Sequence, residues 1–213
     1  MARQSEKKLK RLLEKSEELF WNYGYNAVSV DQIAAEAGIS KMTIYKHFHS
    51  KEDLFIEIMK NSIDYHMDKI KEIIKEKYHT IEKIEQIYNY SIGLAKEYPN
   101  ILLRDIIEKK SILEKVTAMK LEKALPIWQY ILEDGMSKKE IRELDLVFVS
   151  ELLMNLPSAI KNLDFLRDKS KMMKFYENFM DFIKYGLLGG MENQQCVARE
   201  EGVDDAEKHT DES

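Results

Sequence analysis

The sequence has one cysteine, three prolines and eight glycines in 213 residues. A lone Cys196 excludes an internal disulfide and any zinc site that needs several thiolates. Antiparallel β proteins need a turn every ~8–12 residues, and so little glycine and proline does not supply them. Collagen-like, low-complexity and repeat architectures fail on the same count. Long apolar runs are missing as well. The longest is four residues, Leu146 to Val149, far short of the ~20 that a membrane helix requires. The first residues, Met1 to Lys8, carry positive charge with no apolar segment behind them, so no signal peptide is read there and a cytoplasmic protein is expected.

What is present is 44% hydrophobic and 33% charged residues, the balance of a folded, helix-rich chain rather than a disordered one. The net charge of −5 is unevenly spread. Residues 1–51 hold nine Lys/Arg against six Asp/Glu, whereas residues 197–213 hold two against seven. A basic head on an acidic body permits nucleic-acid contact by the head alone.

The apolar spacing reads as helices throughout. Leu9, Leu12, Leu13, Leu19, Phe20 and Tyr23 form one face, with Ser16 at a position the pattern would make apolar, and Gly24 suits a left-handed cap. Ser29 can cap a short helix with Val30, Ile33, Ala34 and Ala37 inside, ended by Gly38. Ser40 can cap a third from Lys41 to Phe48, burying Ile44 and Phe48, and Ser50-x-x-Asp53 resembles a capping box opening a helix to about Lys77. Two short helices separated by about three residues around Gly38 are helix-turn-helix geometry, which structural helical hairpins share. Longer helices are expected over 80–98, 100–109, 112–134 (stopped by Gly135 and bent at Pro126), 145–162 (capped by Asp145, interrupted by Pro157) and 170–188. Residues 191–213 read as a disordered acidic tail.

The run Gly24-Tyr25-Asn26-Ala27-Val28-Ser29-Val30-Asp31-Gln32-Ile33-Ala34 is followed by Ala37-Gly38-Ile39-Ser40-Lys41-Met42-Thr43-Ile44-Tyr45-Lys46-His47-Phe48 and by Ser50-Lys51-Glu52-Asp53-Leu54. It resembles the DNA-binding head of TetR-type regulators over about 45 residues. The rest of the chain resembles that family only in the number and order of its helices. The resemblance implies an all-α protein with a helix-turn-helix head (1–50), a helical effector-binding and dimerisation body (51–190) and the tail. It also implies a dimeric, usually repressing regulator that binds a near-palindromic duplex operator and senses a small molecule. Carried over by position, Lys41, Met42 and Lys46 would touch bases, while Ser29, Ser40, Thr43, Tyr45, His47 and Lys51 would hold phosphates. The family often has Gly where this chain has Met42, whose flexible apolar side chain could instead lie against a thymine methyl.

For the body, the candidate effector residues are Tyr88, Ile92, Leu103, Met119, Trp128, Phe148 and Met154, in a sequence with eleven methionines and 10% aromatics. Ordinary core packing would produce the same spacing. A small, largely hydrophobic effector is expected. The last two long helices carry apolar faces richer than a monomer core needs. The resemblance makes them the dimer interface, through Leu153, Leu156, Phe175, Phe179 and Phe182. No Gly-rich phosphate loop, G-x-S-x-G or H-E-x-x-H is present, so an enzyme is not expected. Neither is a cofactor or a metal, because His47 and His49 face apart on a helix without a third ligand. The rival readings are a helical protein-binding adaptor with a degenerate head, and a DNA binder without an effector.

Overall fold

Local capping chemistry defines the head. The computed structural model describes residues 2–155 and 169–188, which form nine helices and no strand. The first four are α1 (Ala2–Ala27), α2 (Val30–Ala37), α3 (Lys41–His47) and α4 (Lys51–Lys75). Ser29 caps α2 by accepting from the Gln32 N–H while the Gln32 side chain accepts from the Ser29 N–H, a reciprocal capping box. Gly38 ends α2 at φ 65°, ψ 37°, the left-handed region, and Ile39 N–H closes back on Ala34 O at 3.0 Å. Ser40 accepts from Thr43 N–H and Ser50 from Asp53 N–H, which starts α3 and α4. Phe48 lies one residue past α3 in extended conformation and is half-buried, whereas Ile44 is fully buried.

The remaining described helices are α5 (Thr80–Glu97), α6 (Asn100–Glu108), α7 (Lys110–Ser137), α8 (Leu146–Asn155) and α9 (Lys169–Leu188). Asp145 caps α8, its carboxylate accepting from Phe148 N–H at 2.9 Å. Two glycines behave differently from expectation. Gly24 has φ 82° and ψ 168°, so it kinks α1 without adopting the left-handed helical cap. Gly135 does not stop α7, which continues to Ser137 and turns at Lys139 with φ 58°. It instead leaves room for Thr80, whose hydroxyl would collide with a Cβ there. Pro126 lies inside the same helix.

The described chain divides into two packed units. The first contains residues up to 76 together with 86–126. Its core joins Leu12, Phe20 and Tyr25 of α1 to Ile33, Ile44, Leu54, Phe55, Leu102, Ile106 and Ile112, so one apolar cluster runs from the head through α4 and α6 into α7. Phe20, Tyr25 and Phe55 pack as an aromatic triad with centroids 5.0–5.9 Å apart. Ser16 is buried on the apolar face of α1 and satisfies its hydroxyl on Leu12 O at 2.7 Å.

The second unit holds residues 77–85 and the described part of 127–188, with Ile84, Ile131, Leu132, Ile141, Leu153, Phe179 and Ile183 buried. Glu140 accepts from both the N–H and the hydroxyl of Thr80 at 2.7 Å, and Arg142 N–H donates to Leu187 O. Lys83, buried in this unit, pairs with Asp134 at 3.3 Å.

Candidate nucleic-acid interface and ligand cavity

Burying Ile44 turns the other side of α3 to solvent. Met42 is 79% exposed, and Tyr45, Lys46 and His47 are exposed beside it. Lys41 is exposed as well, but its ammonium lies 2.6 Å from the Asp31 carboxylate on α2. Thr43 is half-buried and shares a hydroxyl contact with Ser40 at 2.9 Å. Ser29 and Ser40 are exposed, and each uses its oxygen as a helix cap. Ser40 thus stands at the start of the exposed face of α3, and Lys41 links that helix to Asp31 of α2.

Lys51 is placed differently from them. Its ammonium donates to Tyr25 O and Val28 O, both at 2.8 Å, and stands 4.2 Å from the centre of the Tyr25 ring. The first carbonyl lies in the last turn of α1 and the second one residue beyond it, so the side chain fastens the end of α1 to the start of α4. Burial lowers the Lys51 pKa below its ordinary value and nearby Lys109 lowers it further, while Asp105 acts in the opposite sense.

The same region ties the head to α6 and α7. Asp105 is buried and accepts from Asn26 N–H at 2.8 Å. Its carboxylate can approach because Gly24 has no Cβ, which would stand 2.7 Å from Asp105 Oδ2. Lys109 donates to the Tyr25 hydroxyl at 3.0 Å. Glu52 accepts from Lys115 at 2.8 Å and from Ser111 at 3.1 Å. The hydrogen bond from Lys115 holds the Glu52 carboxyl below its ordinary range, against burial and with help from Ser111 and Lys109. This joint links residues too far apart in sequence to be legible there. Its signal is Gly24 followed by polar residues that reach partners about 80 positions away, which no local pattern reveals.

A cavity of about 410 Å³ lies in the first unit, walled by Glu17 and Trp21 of α1, Tyr65 and His66 of α4, and Glu97 and Tyr98 at the end of α5. None of the six whose side chains are described, among the seven residues expected to meet an effector, lines it. Tyr88 is buried, while Ile92, Leu103 and Met119 are half-buried in the first unit. Trp128 is buried in the second unit, and Phe148 is 66% exposed. The side chain of Met154 is outside the described residues. Off-stripe aromatics such as Trp21 and Tyr65 were the available signal for the cavity.

Of the five expected interface residues, Leu153 and Phe179 are 1% and 5% exposed and belong to the core of the second unit. Phe175 is half-buried, Phe182 is exposed, and Leu156 lies outside the described residues. Among the described residues, the large apolar side chains that α8 and α9 expose are Val147, Phe148, Phe182 and Tyr185. Among the described residues no helix is long and apolar enough to cross a membrane, and no group of acidic, His or Cys side chains could hold a metal.

Comparison with known proteins relates the head of this arrangement to a known family. Residues 12–58 match the model for bacterial regulatory proteins of the tetR family. The fatty acid metabolism regulator protein of Bacillus subtilis is 29% identical over 145 residues, 66% of this chain and 74% of that protein. The HTH-type transcriptional regulator QacR of Staphylococcus aureus is 27% identical over 185 residues, 83% of this chain and 96% of that one. In fold, the chain resembles the transcriptional regulator FadR from Bacillus subtilis, solved in complex with stearoyl-CoA. The TM-score is 0.57 at 23% identity, over 75% of this chain and 94% of that one. The head of this chain, residues 12–58, is thus matched to the tetR family of bacterial regulatory proteins, and the whole chain is similar in length and fold to regulators of that kind.

Proposed function

We propose that this chain is a ligand-responsive repressor that binds a near-palindromic DNA operator as a homodimer and releases it when a small, largely hydrophobic effector is bound. The observation that carries the proposal is the outward face of α3. Met42, Tyr45, Lys46 and His47 are exposed together on a short helix held by Ser40 and Gly38. A helix of this length set on a tight turn presents its first residues to base edges in the major groove.

Lys41, Met42 and Lys46 are the proposed base readers. Ser29, Ser40, Thr43, Tyr45 and His47 are the proposed phosphate contacts, since hydroxyls and cations fix register without reading sequence. Lys51 keeps one of its three donor hydrogens beyond its two carbonyls, so its phosphate role is proposed as secondary to fastening α1.

Two heads are needed because about 50 residues read too few bases for one genomic site. The exposed Val147, Phe148, Phe182 and Tyr185 support a self-complementary interface between α8 and α9 of two copies. Domain roles of head, body and tail follow the sequence reading, and a DNA-bound regulator works in the cytoplasm. The joint of Gly24, Asn26, Lys51 and Asp105 supports coupling between body and head. An effector can shift operator affinity only by binding one arrangement of that joint better than the other.

Selection of genomic fragments by the purified protein tests the reading. Recovery of fragments sharing one near-palindromic element supports it. Recovery of fragments with no shared element, alongside capture of a protein partner, favours the adaptor.

A further inference from the structure

We propose that the cavity between α1, α4 and the end of α5 is a binding site for a lipophilic organic cation, an apolar or aromatic body carrying a quaternary ammonium, phosphonium or protonated amine. The proposal names the effector class of the regulator read above and rests on that reading. The volume, about 410 Å³, lies in the range of small-molecule sites.

Charge decides the class. Glu17 and Glu97 face the cavity, and among the described residues neither has an ion-pair partner and no lysine or arginine lines the space. The neighbouring acids on α1 are already paired, Glu14 with Lys10 at 3.7 Å and Glu18 with Lys15 at 2.6 Å. Burial raises the Glu17 pKa above its ordinary value, and Glu14 and Glu18 raise it further, so its negative charge is crowded and uncompensated. His66 does not supply the missing positive charge. Burial lowers its pKa, with Glu97 opposing and Lys120 adding to the effect, and the ring is neutral at pH 7.

The aromatic walls agree. Trp21 and Tyr98 lie with centroids 5.3 Å apart at 47°, and Tyr65 and His66 with centroids 5.2 Å apart, edge to face. Two of their polar atoms are already used: the Tyr98 hydroxyl bonds Ser62 at 2.9 Å, and His66 Nδ1 bonds the Tyr90 hydroxyl at 2.6 Å. These rings also offer a ligand their surface, whose negative face attracts a cation most strongly when water is displaced. An acyl-CoA would bring several phosphate charges against two uncompensated carboxylates. Lys69 approaches Tyr65 at 5.9 Å from the ring centre, but it is neutralised by Glu72 at 2.9 Å.

The test is calorimetric titration of the whole protein without DNA, using tetraphenylphosphonium and its shape twin of opposite charge, tetraphenylborate, with palmitoyl-CoA as a third probe. The proposal expects one phosphonium per chain and at least tenfold weaker binding of the borate. It also expects about tenfold loss of phosphonium affinity in each of Glu17→Gln and Glu97→Gln, with melting curves showing both variants folded. Trp21→Leu gives a second, charge-independent loss. No heat with phosphonium overturns the proposal. So does equal or tighter binding of the borate or of palmitoyl-CoA, or an unchanged affinity in both Gln variants. Because DNA is absent, a failed operator experiment would leave this result standing, and the reverse.

Discussion

Gly24 shows how much one residue controls at this joint. Its φ of 82° is a conformation that side chains disfavour, and a Cβ would meet the Asp105 carboxylate. Gly24→Ala is expected to cost at least about 1–2 kcal/mol from the backbone alone, read as a lowered midpoint in urea unfolding. Lys51 and Lys46 differ at the same scale. Lys51 fastens two carbonyls at the end of α1, whereas Lys46 is exposed on α3. Lys51→Ala should therefore lower the melting temperature more than Lys46→Ala. Lys46→Ala should change which bases are preferred, with about 1–3 kcal/mol at stake for a direct base contact. If Lys46 sits on a phosphate instead, the slope of log affinity against log salt drops by about 0.9 with sequence preference intact.

At the level of helices, what was legible depended on range. The ends of α2 and α3 were readable because Ser29, Gly38 and Ser40 act within three or four residues. The passage of α7 through Gly135 was not, since it depends on Thr80, far away in sequence. The apolar wealth of α8 and α9 was visible, but periodicity could not say which apolar side faces in. Val149 and Leu153 take the core, whereas Val147 and Phe148 face out. The cavity was hidden for a related reason: it is built from residues lying off the buried stripes of three helices.

That division of faces makes a test. Phe148→Asp and Phe182→Asp should give folded chains that sediment as monomers. Leu153→Asp should instead unfold the chain, because a carboxylate placed in the core costs more than about 3 kcal/mol. Glu52, joining α4 to α7, gives a pH test. Its folded pKa is depressed, so its contribution is present above its unfolded pKa and is lost as pH falls through the folded value. Glu52→Gln should lower the melting temperature at pH 7, with the gap to the unsubstituted protein closing as pH falls from the ordinary carboxylate range through the depressed folded pKa.

For the whole molecule, the proposed function assigns DNA reading to the head, where Lys/Arg outnumber Asp/Glu, and effector sensing and pairing to the body. The head packs in one core with α4, α6 and the start of α7, so a change in those helices has a physical route to α1. Operator recognition by paired chains is the claim on which the rest depends. The most direct test is the affinity of the purified protein for a duplex chosen by genomic selection, followed across salt concentration against a scrambled duplex of equal length, with the chains bound per duplex counted. The account predicts chains bound in pairs, affinity falling linearly in log salt, and at least about a thousandfold preference for the selected duplex. Equal affinity for the two duplexes, or a single chain bound at full affinity, would contradict it.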